Sequence, residues 1–374
     1  MLTGILEIDQ EDYERHLRFT IRNGGNLLVL GAAGTGKTEM SMQVCNDLGY
    51  QYQYLNLAVL EAPDLMGLPI VDTKTSTTRY ALPEMFPSKG KDKPVVLIVD
   101  ELDKAQPELQ NPCLELFQFR SINGRPVNIH AVIATGNLPD ENAFSRPISH
   151  ALTNRCQVFK LIHTFKPWRD WAVNSSINPL VVAFLEKNQD KLLQSPPEGD
   201  DTAYCHPSPR AWALAARDLD NTSKDDNIEF QTALIAGRVG HAAAVEFRIW
   251  LEHYRHIEPL IDTLVNDGIH PNTEKMTIDR QLVCAIGAVR RIMDTCKEAP
   301  RGVRANSRVA TAHKRKVHQV CTNVMGWINE LPSEFSVGAL KSSLNMKVIN
   351  KFKLMDVKPF LDTYVDIREA LDRE

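Results

Sequence analysis

The segment Gly31-Ala-Ala-Gly-Thr-Gly-Lys-Thr38 fits G-x-x-x-x-G-K-[ST], a pattern whose glycines let backbone N–H groups turn onto phosphate oxygens. It stands directly after the apolar run NLLVL and opens a helical pattern from Lys37 to Leu48, so a helix N-terminus adds its partial positive charge. Lys37 would reach the β- and γ-phosphates and Thr38 would hold Mg²⁺. A second apolar run, PVVLIV, leads into Asp100 and Glu101. Asp100 can bind Mg²⁺ through water there, and Glu101 can align and polarise a water for in-line attack on a γ-phosphate. The plainer role for an acid ending a strand is a helix N-cap. HAVIAT ends in Gly136 and Asn137, whose amide would project beside those carboxylates and orient the water, although Asn is equally a turn residue. Arg155, in ALTNRCQVF, closes a helical stretch before a strand, at the edge of a domain rather than in its own pocket. That position suits donation of a guanidinium to a neighbouring subunit's phosphate; Arg146 is nearby, and a surface ion pair is the alternative for either. Arg210, in PSPRAWALAA, follows Pro209 in the first turn of a later helix, where it would either reach back over a γ-phosphate or stand solvated.

These residues need a scaffold, and the first 165 or so positions supply one. Short β-branched runs at Asn26 to Leu30, Tyr52 to Leu55, Pro94 to Val99, Ile129 to Ala134 and Gln157 to Leu161 alternate with helical patterns. Runs without polar alternation suit strands buried on both faces, so an α/β fold is expected: an αβα sandwich with a parallel sheet. From Trp168 the strand signal fades and helices are expected at Leu180 to Lys187, Pro209 to Leu219, Ile228 to Tyr254, Ile257 to Asn266, Thr277 to Cys296, Val303 to Glu330 and Val357 to Leu371. Ser195 to Tyr204, rich in Pro, Gly and acids, reads as a surface loop. The expected division is a nucleotide-binding domain at 1–165, a helical domain at 166–253 carrying Arg210, and a helical extension at 254–374.

A chain of 374 residues has ample material for two or three domains. Its 43 basic and 47 acidic residues give a formal charge of −4, which argues against a surface built for wholesale nucleic-acid coating. The apolar run Val95 to Val99 is far below the roughly 20 residues of a membrane span, and the N-terminal stretch has no apolar core followed by a cleavage site, so a cytoplasmic location is expected. Seven scattered cysteines form no CxxC pair and are expected to be reduced and mostly buried; Cys205 and His206 make a two-ligand fragment at best, so no structural zinc is expected.

Taken together, GAAGTGKT, DLMGLP, VVLIVDELDKAQPELQNPCLELF, VIATGN, ALTNRC and PSPRAW, in that order, resemble the AAA+ ATPases and within them the MoxR-like branch. The resemblance covers about Leu27 to Phe247, and PWRDWA, INPLVVAFL and GRVGHAAAVEF look like its helical lid. Carried over residue by residue, it implies that Gly31, Gly34, Thr35, Gly36, Lys37, Thr38 and Glu39 bind ATP as Walker A, with Mg²⁺ held by Thr38 and Asp100. Asp100 and Glu101 match Walker B, Asn137 sensor 1, Arg155 the arginine finger and Arg210 sensor 2. It further implies a ring, usually hexameric, with ATP between subunits, and a chaperone-like role on a partner protein, often one with a von Willebrand factor A-like domain. Leu68 to Ala81 would be a helix-2 insert and Phe119 to Val127 a second hairpin, each facing either the ring's pore or plain solvent. The family commonly ends the segment before the finger in a pair like Asp-Arg, whereas this chain has Asn154-Arg155.

One basic patch stands out. Arg301, Arg304, Arg308, His313, Lys314, Arg315, Lys316 and His318 run without an intervening acid and suit phosphate backbones, a plain solvated face or contact with an acidic neighbour in the ring; no aromatic is interleaved for base stacking. The leading expectation is a protein-remodelling ATPase, the alternative a motor or loader on nucleic acid, and the third a nucleotide-binding scaffold without turnover.

Overall fold

Alternation decides how the central strands pack. In the sequence Leu27-Leu28-Val29-Leu30, Leu27 and Val29 join a core with Tyr13, Leu17, Ile21, Val44 and Cys45. Leu28 and Leu30 join a different one with Leu109, Cys113, Leu116 and Phe117. Because successive side chains point to opposite faces, an all-apolar strand demands helices on both sides. The computed structural model describes residues 4–88, 90, 93–138, 145–175, 177–194, 205–223, 226–255, 257–298, 307–332, 336, 339–340 and 346–371.

In chain order, residues 1–167 contribute β1 (Leu6–Ile8), α1 (Gln10–Asn23), β2 (Asn26–Leu30), α2 (Lys37–Asp47), β3 (Tyr52–Asn56), α3 (Ala62–Met66), β4 (Pro69–Asp72), β5 (Thr77–Tyr80) and β6 (Val95–Asp100). There follow α4 (Pro107–Phe119), β7 (Ser121–Ile122), β8 (Arg125–Pro126), β9 (Ile129–Gly136), α5 (His150–Thr153) and β10 (Gln157–Leu161). The main sheet has six strands in the order β1-β10-β2-β9-β6-β3, all parallel. The expected α/β sandwich with a parallel sheet is what forms, followed by a helical C-terminal region. The order places β9 between β2 and β6, so the C-terminal ends of the three strands lie side by side at the edge of the sheet where open α/β folds bind ligands.

β1 has no counterpart in the sequence reading: Leu6 and Glu7 are exposed, and three residues at a sheet edge give too short a pattern to register. Leu68 to Ala81 and Phe119 to Val127 both contain two-stranded antiparallel hairpins, β4-β5 and β7-β8.

Residues 168–374 form a second compact unit. Its helices are α7 (Pro179–Lys187), α8 (Pro209–Asp220), α9 (Ile228–Val239), α10 (His241–Arg255), α11 (Glu258–Asp267), α12 (Ile278–Lys297), α13 (Arg308–Ile328), α14 (Met346–Phe352) and α15 (Lys358–Leu371); α6 (Phe165–Asn174) contains the boundary between the units. The single helix expected at Ile228 to Tyr254 is two, divided at Gly240. There the backbone adopts φ +85°, and a Cβ would lie 2.4 Å from the Cys205 carbonyl oxygen, so only glycine fits the break. Helix α10 runs through the position of the expected boundary at 253/254. The expected loop Ser195 to Tyr204, and Arg301 and Arg304 of the basic patch, lie outside the described residues. Among the described residues, no helix is long and apolar enough to cross a membrane.

Candidate active site

The phosphate loop follows β2, whose last residue Leu30 pairs with Gly136 at the end of β9. Gly31 is extended at φ +156°, and a Cβ there would come within 2.7 Å of the Leu161 carbonyl oxygen, so the neighbouring strand leaves no room for a side chain. Gly34 and Gly36 take the left-handed conformation at φ 75° and 85°. Gly36 is also the N-cap of α2 and offers no side-chain cap, which leaves the first N–H groups of the helix for an anion. Thr35 is buried and closes the loop by donating its hydroxyl to the Ala32 carbonyl at 2.8 Å.

Lys37 is 8% exposed. Its ammonium donates to the Gly31 carbonyl at 2.7 Å, the Ala32 carbonyl at 2.8 Å and the Asn137 Oδ1 at 3.3 Å, which holds the charge at the mouth of the loop. One turn along, Ser41 and Tyr13 brace the helix: Ser41 donates its hydroxyl to the Lys37 carbonyl at 2.8 Å, and the Tyr13 hydroxyl lies within reach of both that carbonyl, at 3.1 Å, and Ser41 Oγ, at 2.9 Å. Burial pushes the Tyr13 phenol up, so it stays neutral. Glu39 is exposed on the first turn of α2.

Thr38 donates its hydroxyl to Asp100 Oδ1 at 3.0 Å. Thr135 donates to the same oxygen, and the Tyr54 hydroxyl donates to Asp100 Oδ2 at 2.9 Å. Burial and then the bond to Asp100 push the Tyr54 phenol up to about 12. Thr38 and Asp100 thus present the hard oxygen donors that suit Mg²⁺. The sequence reading missed Tyr54 and Thr135 as partners of this carboxylate. A threonine just before Gly136-Asn137 and a tyrosine in β3 carry no signal by type; only the sheet order, which sets β3 and β9 on either side of β6, brings them to Asp100.

Glu101 has left-handed backbone at φ 58°, uncommon for a residue with a side chain, and begins a one-turn 3-10 helix at Leu102–Lys104. Its carboxylate pairs with Lys104 at 2.6 Å and does not cap the turn. Asn137, 6% exposed, follows β9; its Oδ1 faces Lys37 and its Nδ2 lies 3.5 Å from Asp103 Oδ2. The structure therefore makes two bonded pairs, Lys37–Asn137 and Thr38–Asp100, at the C-terminal ends of β2, β6 and β9, linked through the adjacent residues Lys37 and Thr38, with Glu101 next to Asp100 in the chain.

Arg155 lies at the other end of the sheet. Its carbonyl accepts from Asn26 at the start of β2, while Lys37 lies beyond that strand's far end, about 15 Å along it. The guanidinium is half-buried, donating to Gln118 Oε1 at 2.9 Å and the Ala151 carbonyl at 2.6 Å. Arg120, also at that end, is committed to the carbonyls of Leu116, Phe117, Gly24 and Gly25 and to Asn26. Arg146 is exposed. In the second unit, Arg210 stands exposed in the first turn of α8, after the N-cap Ser208. On α13, Arg308, Lys314 and Arg315 are exposed and Lys316 pairs with Glu298 at 3.1 Å. Among the cysteines, Cys45, Cys113, Cys284, Cys296 and Cys321 are buried, and Cys205 is exposed.

Residues 26–156 match the family model of the AAA domain (dynein-related subfamily). Over 155 residues the chain is 26% identical to replication factor C small subunit 1 of Pyrobaculum arsenaticum, which is 41% of this chain and 42% of that relative. It is 27% identical over 120 residues to small subunit 2 of the same organism, covering 32% and 36%. The chain thus spans about two-fifths of the length of these curated relatives. Among solved structures, a RuvB mutant of Thermotoga maritima matches with a TM-score of 0.34 and 12% identity, over 69% of this chain and 77% of that one. NtrX of Brucella abortus in complex with ADP matches with a TM-score of 0.36 and 13% identity, over 92% and 68%.

Proposed function

We propose that this chain, which carries an AAA domain over residues 26–156, is a Mg²⁺-dependent ATPase that works as a ring, usually of six, to remodel or assemble a partner protein. The observation that carries the hydrolytic part is the two bonded pairs at the strand ends, Lys37–Asn137 and Thr38–Asp100, with Glu101 next to Asp100 in the chain. The loop N–H groups and Lys37 bind the phosphates. Bound Mg²⁺, held by Thr38 and by Asp100 through water, would neutralise the developing phosphate charge. Glu101 leaves Lys104, aligns a water and accepts its proton, while Asn137 holds that water and the γ-phosphate in line.

The position of Arg155 supports the ring. A guanidinium about one strand length from its own phosphate loop serves a neighbour's site better than its own. Arg210 would complete the site as a sensor from the helical unit. The MoxR-like order of motifs supports a protein client, with a von Willebrand factor A-like domain as its expected module. A second reading, a motor or loader on nucleic acid, is favoured by the replication factor C relatives and by the exposed Arg308, Lys314 and Arg315 on one helix. A cytoplasmic location goes with either.

The test is ATPase rate per subunit against protein concentration, with mass by light scattering on the same samples. Specific activity that rises as oligomers form supports the ring. A monomer hydrolysing equally fast removes it. Stimulation by DNA or RNA that falls steeply with salt would favour the second reading over the first.

A further inference from the structure

Asp103 is fully buried, yet no part of the reading above uses it. The left-handed turn at Glu101 swings the chain back under the end of β9, and the Asp103 carboxylate lands between two segments distant in sequence. On one side is Asn137, whose Nδ2 lies 3.5 Å from Oδ2. On the other is the strap 145–149: Ser145 donates its hydroxyl to the same Oδ2 at 2.6 Å, and the Arg146 N–H donates to the Asp103 carbonyl at 2.7 Å. The strap leads through the N-cap Ser149 into α5 and on to Arg155. Gln110 also holds the strap, donating to the Pro147 carbonyl at 3.4 Å and accepting from the Ser149 N–H at 3.2 Å, both longer than the Asp103 bonds.

The second carboxylate oxygen is buried beside Gly136 and has no hydrogen-bond partner among the described residues. A Cβ on residue 136 would lie only 3.1 Å from it, so the glycine makes room for a charged group whose bonding is incomplete. A buried carboxylate with one oxygen shared between two donors and the other unpaired responds to the loss of either donor. Asn137 bridges Lys37 and Asp103, and an amide that sensed a γ-phosphate would turn from Asp103 toward it.

We infer that Asp103 is a positioning residue that couples the γ-phosphate sensor Asn137 to the 145–149 strap, so that the presence of a γ-phosphate alters how firmly the segment bearing Arg146 and leading to Arg155 is held. This rests on the reading of Asn137 as the sensor. When the Asn137 amide leaves, Oδ2 has only Ser145, and the carboxylate is free to turn; the bonds to the strap change with it. The coupling runs through one shared atom and needs no movement of the sheet.

The test is hydrogen exchange of peptides spanning 145–149 in the full chain, without nucleotide, with Mg·ADP, and with Mg²⁺ and a non-hydrolysable ATP analogue, each shown to bind by titration. In the wild type, exchange in the strap should differ at least threefold between the ADP and analogue states. Asp103→Ala should reduce that difference to within the error while still binding both nucleotides, and Asp103→Asn, which keeps an acceptor oxygen, should restore at least half of it. Ser145→Ala, at a half-exposed position, should also shrink the difference, and it carries the test if Asp103→Ala does not fold. A difference that persists in Asp103→Ala or Ser145→Ala overturns the coupling, as does a wild type whose strap is indifferent to a bound analogue. Failure to bind nucleotide in the titration overturns the site itself, and is seen separately from either exchange result.

Discussion

Replacing Glu101 by Gln keeps the size of the side chain and, because both residues meet the same cost at a left-handed backbone, adds no strain at φ 58°. Two losses can follow, on different scales. The first is the ion pair with Lys104, at 2.6 Å, between side chains 28% and 34% exposed. Such a pair is worth at most about 1 kcal/mol, or a Tm change of about 2–4 °C in a domain of this size. The second is the base that aligns and deprotonates the attacking water, whose removal costs about 10² to 10⁴ in rate. At about 1.4 kcal/mol per tenfold, that is about 3 to 5.5 kcal/mol, several times the stability term. Steady-state ATPase assays, nucleotide titration and thermal melts on the same preparation should therefore separate: kcat falling at least a hundredfold, ATP affinity unchanged within about threefold, Tm within a few degrees. A fall in kcat of less than tenfold, or one that tracks lost nucleotide binding, would refute the assignment of Glu101 as the base.

Other outcomes test other parts of the site. Lys37→Ala removes a charged donor that contacts the loop and faces the phosphates, and should raise the Kd for ATP by about 30- to 150-fold, the equivalent of about 2 to 3 kcal/mol; calorimetric affinity within threefold of wild type would remove the loop assignment. Arg155→Ala should bind ATP and lose hydrolysis, and mixing it with Lys37→Ala should recover activity, because each subunit supplies what its neighbour lacks. No recovery at any mixing ratio would move the trans role to Arg146 or to a cis mechanism. Tyr54→Phe deletes one bond to Asp100 and leaves the ring in place, so the Mg²⁺ concentration for half-maximal rate should shift by no more than about fivefold, less than for Thr38→Ala; the reverse order would make Tyr54 the closer support. Burial holds the His163 imidazole down at about 4, below its unfolded value of about 6.5. A group whose folded pKa is depressed contributes stability above the unfolded value and loses it as pH falls toward the folded one. Urea unfolding should thus show up to about 3 kcal/mol lost between pH 6.5 and 4, and His163→Gln should flatten that arm; equal losses in both proteins would exclude His163 as the cause.

The phosphate loop, the acids after β6, the amide after β9 and the five central strands are all legible in the chain itself. Each is a local pattern: glycines where φ must be positive, an apolar run where a strand is buried on both faces, a carboxylate where that run ends. What the chain by itself could not give is adjacency. Tyr54 and Thr135 look like ordinary strand residues until the order β9-β6-β3 sets both beside Asp100. Asp103 reads as one more charge in DELDKA, and becomes a buried junction only because Glu101 turns the backbone and Ser145 comes back to meet it. The break at Gly240 was hidden for the same reason, since what forbids a side chain there is the Cys205 carbonyl, contributed from far along the chain. Local conformational preference is written in neighbours along the sequence and fixed which residue types stand at the ends of strands and helices. The partners across the sheet come from close packing between distant segments, and that only the tertiary structure decided.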